Sequence, residues 1–431
     1  MWQTTAKALV NVLNRPRFGP QPSQIERASP ESEPAAIFRK TTEEAMNQMI
    51  TPSQREFLSN ELTKRGFSRR SMGRFAALMT AGAALPFYNE PALAQLSAVK
   101  DMPPDAVKIN ANENPLGPCP EAAEAIYGII KKGGRYMYEE TFGLAKTLAD
   151  QEGVKPSYVQ PYAGSSAPLH QAVMAFCTKD KPFVVADPGY EAGMRAAKYI
   201  GAGIVQVPLR KDNYAHDVKA MVAAHPTPGL IYICNPNNPS GSITSAEDIA
   251  WLMANKPAGS IVMLDEAYIH LSNEPFGSKY VAQDKDVVIL RTFSKLYGMA
   301  GLRAGAAIAR PDLLEKIAPF SAGALPATGM IGAHVSLKQK GLVAERRKII
   351  KDVREDTLAF LDKKGYKYVP SVSNKFMVDV RMPGTEFATK MAEQKVYVGR
   401  VWPSWPQHVR VSVGLREEMA AFKKAFTTVM G

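Results

Sequence analysis

From about residue 100 onward, short apolar runs alternate with segments long enough to form helices. This alternation is typical of βα units, in which parallel strands are connected by helices that cover the sheet. The parallel strands of such a sheet end at one edge, where ligands bind. The pattern therefore predicts an α/β fold, and the residues that follow each strand are the candidates for function. The predicted strands are Val159–Ala163, Phe183–Ala186, Ile204–Val207, Leu230–Ile233, Ile261–Leu264, Val287–Leu290 and Ala304–Ile308.

The composition narrows the class of protein. The 431 residues are 45% hydrophobic and 22% charged, which is typical of a globular chain with two or three domains. The net charge of +12 would suit nucleic-acid binding, but the basic residues of the later part do not cluster and no nucleic-acid motif is present. We therefore expect arginines directed at a small anionic ligand and no nucleic-acid partner. Three cysteines without CxxC spacing predict neither a disulfide framework nor a metal site.

The N-terminal segment differs from the rest of the chain. Residues 1–60 are polar, rich in Pro, Ser, Glu and Gln, and without sustained periodicity. This is typical of disorder. We interpret residues 1–67 as a disordered or mis-called extension, because Met46 or Met49 would be a more usual start for the segment that follows.

Residues 68–94 resemble a twin-arginine signal peptide. Arg69 and Arg70 precede the apolar run Phe75–Phe87, and an Ala-x-Ala pattern ends at residue 94. The apolar run is too short to span a bilayer as a helix, and the order of segments is typical of a secretory signal. We expect export to the periplasm, with membrane contact only during export. The alternative is an amphipathic helix leading into the domain, which would leave the protein in the cytoplasm.

The stretch "TFSKLYGMAGLRAG", Thr292–Gly305, follows the predicted strand Val287–Leu290. It contains one lysine, Lys295, with Ser294 before it and Arg303 eight residues after it. A solvated lysine would serve solubility alone. A lysine in a dry pocket loses part of its proton affinity and becomes a nucleophile toward carbonyls.

Two other strand ends carry residues that suit a charged ligand. Asp265 follows Ile261–Leu264, where a carboxylate is costly unless it is paired with a cation; its alternative use is as a helix N-cap. A Gly164-Ser165-Ser166 turn precedes a helix predicted from Pro168. Free N–H groups at that helix end would attract a phosphate, although the serines also suit an ordinary cap.

Tyr190 in "DPGYEAG" could stack on a flat ligand or pack in the core, and Asn238 in "CNPNNPSG" could donate a hydrogen bond to a ligand oxygen. Together the strand ends supply an amine, a carboxylate for a ring cation, an aromatic platform, polar groups for a ring oxygen and a phosphate cradle. Pyridoxal 5′-phosphate requires this set.

Six motifs occur in order: "NANENPLGP", "DPGYEAG", "CNPNNPSG", "LDEAY", "RTFSKLYGMAGLRAG" and "VRVSVGLREE". Over about residues 105–431 they closely resemble the histidinol-phosphate aminotransferase family, which belongs to the fold-type I pyridoxal-phosphate-dependent aminotransferases. The resemblance implies a large domain with a mostly parallel seven-stranded sheet, a smaller α/β C-terminal domain, and a homodimer with active sites at its interface. Residues 95–145 would form the N-terminal arm and the start of the fold, 146–325 the large domain and 326–431 the small domain.

The resemblance also implies a role for each matching residue. Lys295 would bind the cofactor covalently and serve as general acid and base. The other cofactor-binding residues would be Asp265 at the pyridine nitrogen, Tyr268 and Asn238 at the ring oxygen, Tyr190 stacked on the ring, and Gly164, Ser165, Ser166, Ser294 and Arg303 at the phosphate. Family members bring a tyrosine from the partner subunit, which would be Tyr136 in "RYMY", although methionine replaces the family's proline; Tyr138 is the alternative.

At the substrate end, Arg410 in "HVRVSVG" matches the arginine that binds the α-carboxylate, for which a guanidinium is well suited. Arg400 lies where the family often has an arginine for the substrate side chain. Asn112 belongs to a substrate-covering segment or to a simple turn. Trp402 and Trp405 either touch substrate or pack between domains.

We therefore predict an aminotransferase acting between an amino acid and a 2-oxo acid. An exported enzyme would not meet the phosphorylated intermediate of cytosolic histidine biosynthesis, so we expect a different substrate. A decarboxylase, racemase or β-lyase on the same fold is the alternative, because fold does not determine reaction type. A non-enzymatic binding protein is a third hypothesis, which the presence of Lys295, Asp265 and Arg410 disfavours.

Overall fold

The computed structural model describes residues 102–321 and 323–431, which belong to one compact unit. The predicted extension at 1–67 and the predicted signal at 68–94 lie outside the described residues, as does the beginning of the predicted arm. Within the described part, no helix is both long enough and apolar enough to cross a membrane. No group of three or more His, Cys, Asp or Glu side chains in those same ranges is arranged to hold a metal ion.

The described residues form twelve strands and twelve α-helices. The strands are β1 (Val107–Ile109), β2 (Val159–Tyr162), β3 (Phe183–Asp187), β4 (Ile204–Pro208), β5 (Leu230–Cys234), β6 (Ile261–Asp265), β7 (Val287–Thr292), β8 (Gly305–Ile308), β9 (Tyr368–Val369), β10 (Lys375–Asp379), β11 (Val396–Val398) and β12 (His408–Ser412). The helices are α1 (Pro120–Ile130), α2 (Tyr138–Glu152), α3 (Ser166–Phe176), α4 (Ala192–Tyr199), α5 (Val218–Ala223), α6 (Ala246–Asn255), α7 (Ser278–Ala282), α8 (Pro311–Ile317), α9 (Ala327–Lys338), α10 (Leu342–Lys363), α11 (Gly384–Glu393) and α12 (Arg416–Met430).

A seven-stranded sheet has the order β2-β8-β7-β6-β5-β3-β4. The strands from β7 to β4 run parallel to their neighbours, whereas β8 is antiparallel to both β7 and β2. All seven predicted strands are confirmed, each to within two residues at either end. The α/β fold with a mostly parallel sheet is therefore confirmed.

Both faces of this sheet are covered. On β5, Ile231 and Ile233 pack into one hydrophobic core, whereas Leu230 and Tyr232 pack into the other. Every residue of β5, β6 and β7 is buried. Strands buried on both faces have near-continuous apolar sequences, which is why these runs could be recognised in the sequence.

A smaller antiparallel sheet follows in the chain, with the order β12-β10-β9. Its register places Met377 opposite Arg410 and Lys375 opposite Ser412. Strand β1 pairs in parallel with β11, so residues near the start of the described chain are hydrogen-bonded to its C-terminal part. The boundaries proposed at 145/146 and 325/326 stay predictions.

A buried ionic cluster connects α2 to the ends of β6 and β7. The guanidinium of Arg291 donates to Glu152 Oε1 at 2.6 Å and Oε2 at 2.9 Å, and it also bonds Glu266. Burial opposes ionisation of Glu152, but Arg291 overcomes this and lowers the pKa of Glu152. Burial keeps the pKa of Glu266 above its ordinary value despite the same guanidinium. The cluster satisfies three charged groups within the protein interior.

We predict that Arg291→Met lowers the free energy of unfolding by about 3–5 kcal/mol, because it leaves two buried carboxylates without their guanidinium. Chemical denaturation followed by tryptophan fluorescence would measure this. Lys348→Ala is the control, because Lys348 and Asp352 form a solvent-exposed pair and their loss should not measurably shift the midpoint. Equal midpoints for the two variants would contradict the prediction.

Candidate active site

The carboxyl ends of β5, β6 and β7 meet at one pocket, which Cys234, Asp265 and Thr292 line. This is the edge at which the sequence placed the ligand site. The structure brings nine of the predicted residues to the same pocket: Ser165, Ser166, Tyr190, Asn238, Asp265, Tyr268, Ser294, Lys295 and Arg303.

Asp265 is the last residue of β6 and is buried. Its Oδ2 accepts a hydrogen bond from the Tyr232 hydroxyl at 2.7 Å, and its Oδ1 accepts one from the Ala267 N–H at 3.2 Å. Burial and the neighbouring carboxylate raise the pKa of Tyr232 well above its ordinary value, so the phenol remains a donor. No α-helix begins directly after β6, so the alternative role of Asp265 as a helix N-cap is wrong.

Tyr268, Asn238 and Asn112 form a buried polar network. The Asn112 Nδ2 lies 3.3 Å from the Tyr268 hydroxyl and 3.4 Å from Asn238 Oδ1. Ser412 fixes the position of Asn112 by two hydrogen bonds. Its Oγ accepts from the Asn112 backbone N–H at 2.8 Å and donates to Asn112 Oδ1 at 3.1 Å. Asn112 has a φ of 53°, in the left-handed region, and its side chain connects three segments of the chain.

Lys295 lies in the loop that follows β7, and only 5% of it is exposed. Its Nζ is 5.7 Å from the centroid of the Tyr268 ring. The predicted burial of this lysine is therefore confirmed, which excludes a role confined to solubility.

The N-terminus of α3 forms the other end of the pocket. The helix begins at Ser166, two residues before the predicted start at Pro168, and the Ser165 side chain makes no capping bond. Gly164 has a φ of 88°, and a side chain there would collide with the Arg303 guanidinium. Free helical N–H groups, two serines and a guanidinium at one place form an anion-binding site.

Arg303 reaches this end from the loop after Lys295. Its Nη1 donates to the Ala300 carbonyl at 2.8 Å and lies 3.4 Å from Ser294 Oγ. Arg303 has a φ of 60°, a left-handed conformation that non-glycine residues seldom adopt and that is common at functional sites. The backbone thus directs its side chain toward the N-terminus of α3.

The donor set fits pyridoxal 5′-phosphate. The cofactor presents an aldehyde, a basic ring nitrogen and a phosphate, and the pocket offers a buried amine at Lys295, a buried carboxylate at Asp265 and the anion site beside Arg303. The missing side chain at Gly164 leaves space that Arg303 occupies.

Residues 104–425 match the model of the family "Aminotransferase class I and II". This chain belongs to the class I and II aminotransferases. Its enzymatic class is therefore established, and its cofactor is pyridoxal 5′-phosphate.

Individual relatives are between 25% and 32% identical to this aminotransferase. A histidinol-phosphate aminotransferase from Moorella thermoacetica is 30% identical over 76% of this chain and 86% of its own length. An aromatic amino acid aminotransferase from Rhodococcus jostii is 32% identical over 75% of this chain and 90% of its own. A histidinol-phosphate aminotransferase from Sinorhizobium meliloti, solved in complex with pyridoxal-5′-phosphate, is 25% identical with a TM-score of 0.70, covering 81% of this chain and 96% of that chain.

Tyr136 does not line the aminotransferase pocket within one chain. It is 70% exposed, and its ring lies 5.7 Å from that of Tyr138. Its predicted contribution to a partner subunit stays a prediction.

Arg410 lies on β12 and is fully buried. Its Nη1 donates to Asn238 Oδ1 at 2.9 Å and its Nη2 to the Asn110 carbonyl at 2.6 Å. Asn238 also belongs to the network around Tyr268, so the predicted carboxylate-binding arginine lies next to the predicted cofactor-binding residues.

Arg400 forms an ion pair with Glu191. Its Nη1 donates to Glu191 Oε1 at 3.1 Å, and its Nη2 lies 3.0 Å from Oε2. Both arginines lie near the Trp402 ring, with guanidinium carbons 4.7 Å (Arg400) and 5.6 Å (Arg410) from its centroid. The buried Trp402 thus supports both guanidinium groups.

Trp405 lies away from the pocket. Its ring packs edge-on against Tyr214 at 5.6 Å and lies 5.2 Å from His408. Neither tryptophan lines the pocket, which favours the packing alternative of the sequence analysis.

Sequence reasoning missed several residues of this site. Lys375 on β10 is fully buried, and its Nζ lies 3.1 Å from the centroid of the Tyr268 ring. A lysine as the first residue of the mostly apolar run "KFMVDV" was an available signal. Tyr232 gave no such signal, because a tyrosine in a buried strand is usually interpreted as a packing residue. Glu191 gave none either, since its partner Arg400 is far away in the sequence.

We predict that Glu191→Gln shifts donor preference toward amino acids with acidic side chains, by about tenfold relative to aromatic donors. The substitution leaves Arg400 without its carboxylate partner, and a hydrogen bond to a charged group contributes about 1.5–3 kcal/mol. Initial rates with a panel of amino donors would measure the ratio.

Two variants complete that comparison. Glu191→Gln combined with Arg400→Ala should lose the shift, and Arg410→Ala should weaken all amino-acid donors alike. If Glu191→Gln leaves every ratio of catalytic efficiency unchanged, then Arg400 does not reach the substrate.

Proposed function

We propose that this aminotransferase transfers an amino group between an amino acid and a 2-oxo acid, with Lys295 bound to the cofactor. The proposal depends on one observation. The fully buried Arg410 donates a hydrogen bond to Asn238, and Asn238 lines the same pocket as Lys295 and Asp265. A guanidinium binds an α-carboxylate through two parallel hydrogen bonds, so Arg410 would position an amino acid beside Lys295.

In the proposed reaction, each residue has a defined task. The cofactor supplies an electron sink for the charge that develops at the α-carbon of the substrate. Arg410 binds and orients the α-carboxylate. Lys295 accepts the α-proton at Nζ and returns it during product formation. Asp265, oriented by the Tyr232 hydroxyl, keeps the ring nitrogen protonated.

We propose an amino acid as the donor, and not histidinol phosphate. Relatives are named for histidinol phosphate and for aromatic amino acids, so the family name alone does not decide between them. Export would separate the enzyme from the phosphorylated intermediate of a cytosolic pathway. The position of Arg410 suits a donor that carries an α-carboxylate.

We propose export through the twin-arginine route. Support comes from the arginine pair, the apolar run and the Ala-x-Ala pattern within residues 68–94. The family match begins at residue 104, after this segment. A tightly held cofactor favours export after folding.

We also propose a homodimer. Tyr127, Tyr136, Tyr138 and Phe142 lie close together in the sequence, on or between α1 and α2, and each is more than half exposed. Exposed aromatic surface of this kind is typical of a protein interface. In such a dimer, Tyr136 of one copy would approach the site of the other.

We predict that borohydride reduction followed by mass spectrometry places the pyridoxyl group on Lys295. Lys295→Ala should abolish both the covalent label and transamination while leaving the fold intact, because the amine is lost and little packing changes. A label on a different lysine would contradict the assignment.

Asp265→Asn is the matched variant for that experiment. It should retain the label on Lys295 and lose most of the activity, because a neutral amide cannot hold the proton on the ring nitrogen. Near-normal turnover would exclude Asp265 from this role.

We predict that Arg69→Lys combined with Arg70→Lys leaves folded, cofactor-loaded enzyme in the cytoplasm, because the paired arginines are what the export machinery would recognise. Cell fractionation and immunoblotting would measure this. Arg74→Lys is the control and should be exported normally. Full-length, unaltered protein in the cytosol would contradict the export proposal.

A further inference from the structure

One face of the smaller sheet is directed at the active-site pocket. Strands β10 and β12 are antiparallel, with Lys375 opposite Ser412 and Met377 opposite Arg410. Paired residues share a face, as do residues two apart on one strand. Lys375, Ser412 and Arg410 therefore lie on the same face, with Lys375 diagonal to Arg410.

Each of these three side chains contacts the polar network of the pocket. Arg410 donates to Asn238 and Ser412 bonds Asn112. The third, Lys375, lies with its Nζ 3.1 Å from the centroid of the Tyr268 ring. The sequence analysis identified Arg410 alone from this face.

The surroundings of Lys375 fix its position. It is fully buried, and its Nζ donates to Ser373 Oγ at 2.8 Å. The next residues on the strand, Phe376 and Met377, are apolar and buried. An apolar side chain would occupy this position without the cost of taking an ammonium out of water, which amounts to several kcal/mol. A charge at this place therefore points to a function.

Tyr268 receives two interactions that polarise its phenol. An ammonium over the ring face attracts the ring's electron density. The Asn112 Nδ2, 3.3 Å away, donates to the phenol oxygen. A phenol polarised in this way is a stronger hydrogen-bond donor toward a ligand oxygen.

We propose that Lys375 is a positioning residue that holds a positive charge against Tyr268 and so strengthens the hydrogen bond from Tyr268 to the ring oxygen of the cofactor. The inference rests on the proposed function, in which Tyr268 binds that oxygen and Lys295 is joined to the cofactor. Lys295 Nζ lies 5.7 Å from the centroid of the same ring. The charge of Lys375 would therefore also act on this nitrogen when it is bound to the cofactor. A nearby cation favours the unprotonated form of such a nitrogen.

Other charged and titratable groups surround this position and stay constant in the comparison. They are Asp265, Lys295, Arg410, Tyr232, Tyr190 and Cys234. Burial and Asp265 raise the pKa of the Cys234 thiol, whereas Lys375 opposes that rise. The charge of Lys375 thus also acts on Cys234, at the end of β5.

The test is a pH titration of the absorbance of the bound cofactor, without substrate, in the holoenzyme. Removal of the charge in Lys375→Met should raise the midpoint by about one to two pH units, as expected for the loss of a unit charge within about 9 Å of the Lys295 nitrogen, since both nitrogens lie near the Tyr268 ring. Lys375→Gln, which keeps a donor for Ser373, should shift the midpoint in the same direction. Lys375→Arg should titrate like the unaltered enzyme.

The outcomes separate this inference from the proposed function. Unchanged midpoints in cofactor-loaded Lys375→Met and Lys375→Gln would overturn it. If only Lys375→Arg loads cofactor, the requirement for charge is supported; if none of the three variants loads, Lys375 has a packing role and the inference is wrong. Borohydride labelling of the same samples shows whether the cofactor is on Lys295, and a label elsewhere would instead refute the proposed function.

Discussion

Two consecutive carboxylates, Asp265 at the end of the central strand β6 and Glu266 directly after it, are both buried. Because successive residues of a strand face opposite sides, each side of the sheet has to supply donors for one of them. Tyr232 on β5 supplies a donor to Asp265, and Arg291 on β7 supplies one to Glu266. Because β5 and β7 must place these donors opposite the two carboxylates, the register of β5, β6 and β7 depends on both contacts.

This constraint also bears on where Lys295 lies. Arg291 is anchored by Glu152 and Glu266, and Lys295 follows it by four residues in the same segment. Fixing the end of β7 fixes the start of the loop that carries Lys295 and Arg303. An ionic cluster on one side of the sheet thus supports the position of the amine on the other side.

The sequence allowed the seven main strands to be predicted because each is a short, mostly apolar run, and β5, β6 and β7 are buried throughout. Asp265 and Lys295 could be found because Asp265 ends such a strand and Lys295 follows one by three residues. Contacts between distant segments could not be found in the same way. Glu191 and Arg400, for example, are far apart in the sequence and come into contact only in the folded protein. The start of α3 was placed at Pro168 although proline is tolerated within the first helical turn, where its missing N–H is not needed.

The smaller sheet and the loop beside it hold Lys375, Arg400, Trp402 and Arg410, all within residues 375–410. The residues proposed to bind the cofactor precede this segment in the chain. In the proposed function, the two arginines assigned to the substrate are thus encoded in one short stretch of the gene, apart from the residues assigned to the cofactor. Exchange of this stretch, with Lys375 retained, would replace the residues around the substrate and leave the proposed cofactor-binding residues in place.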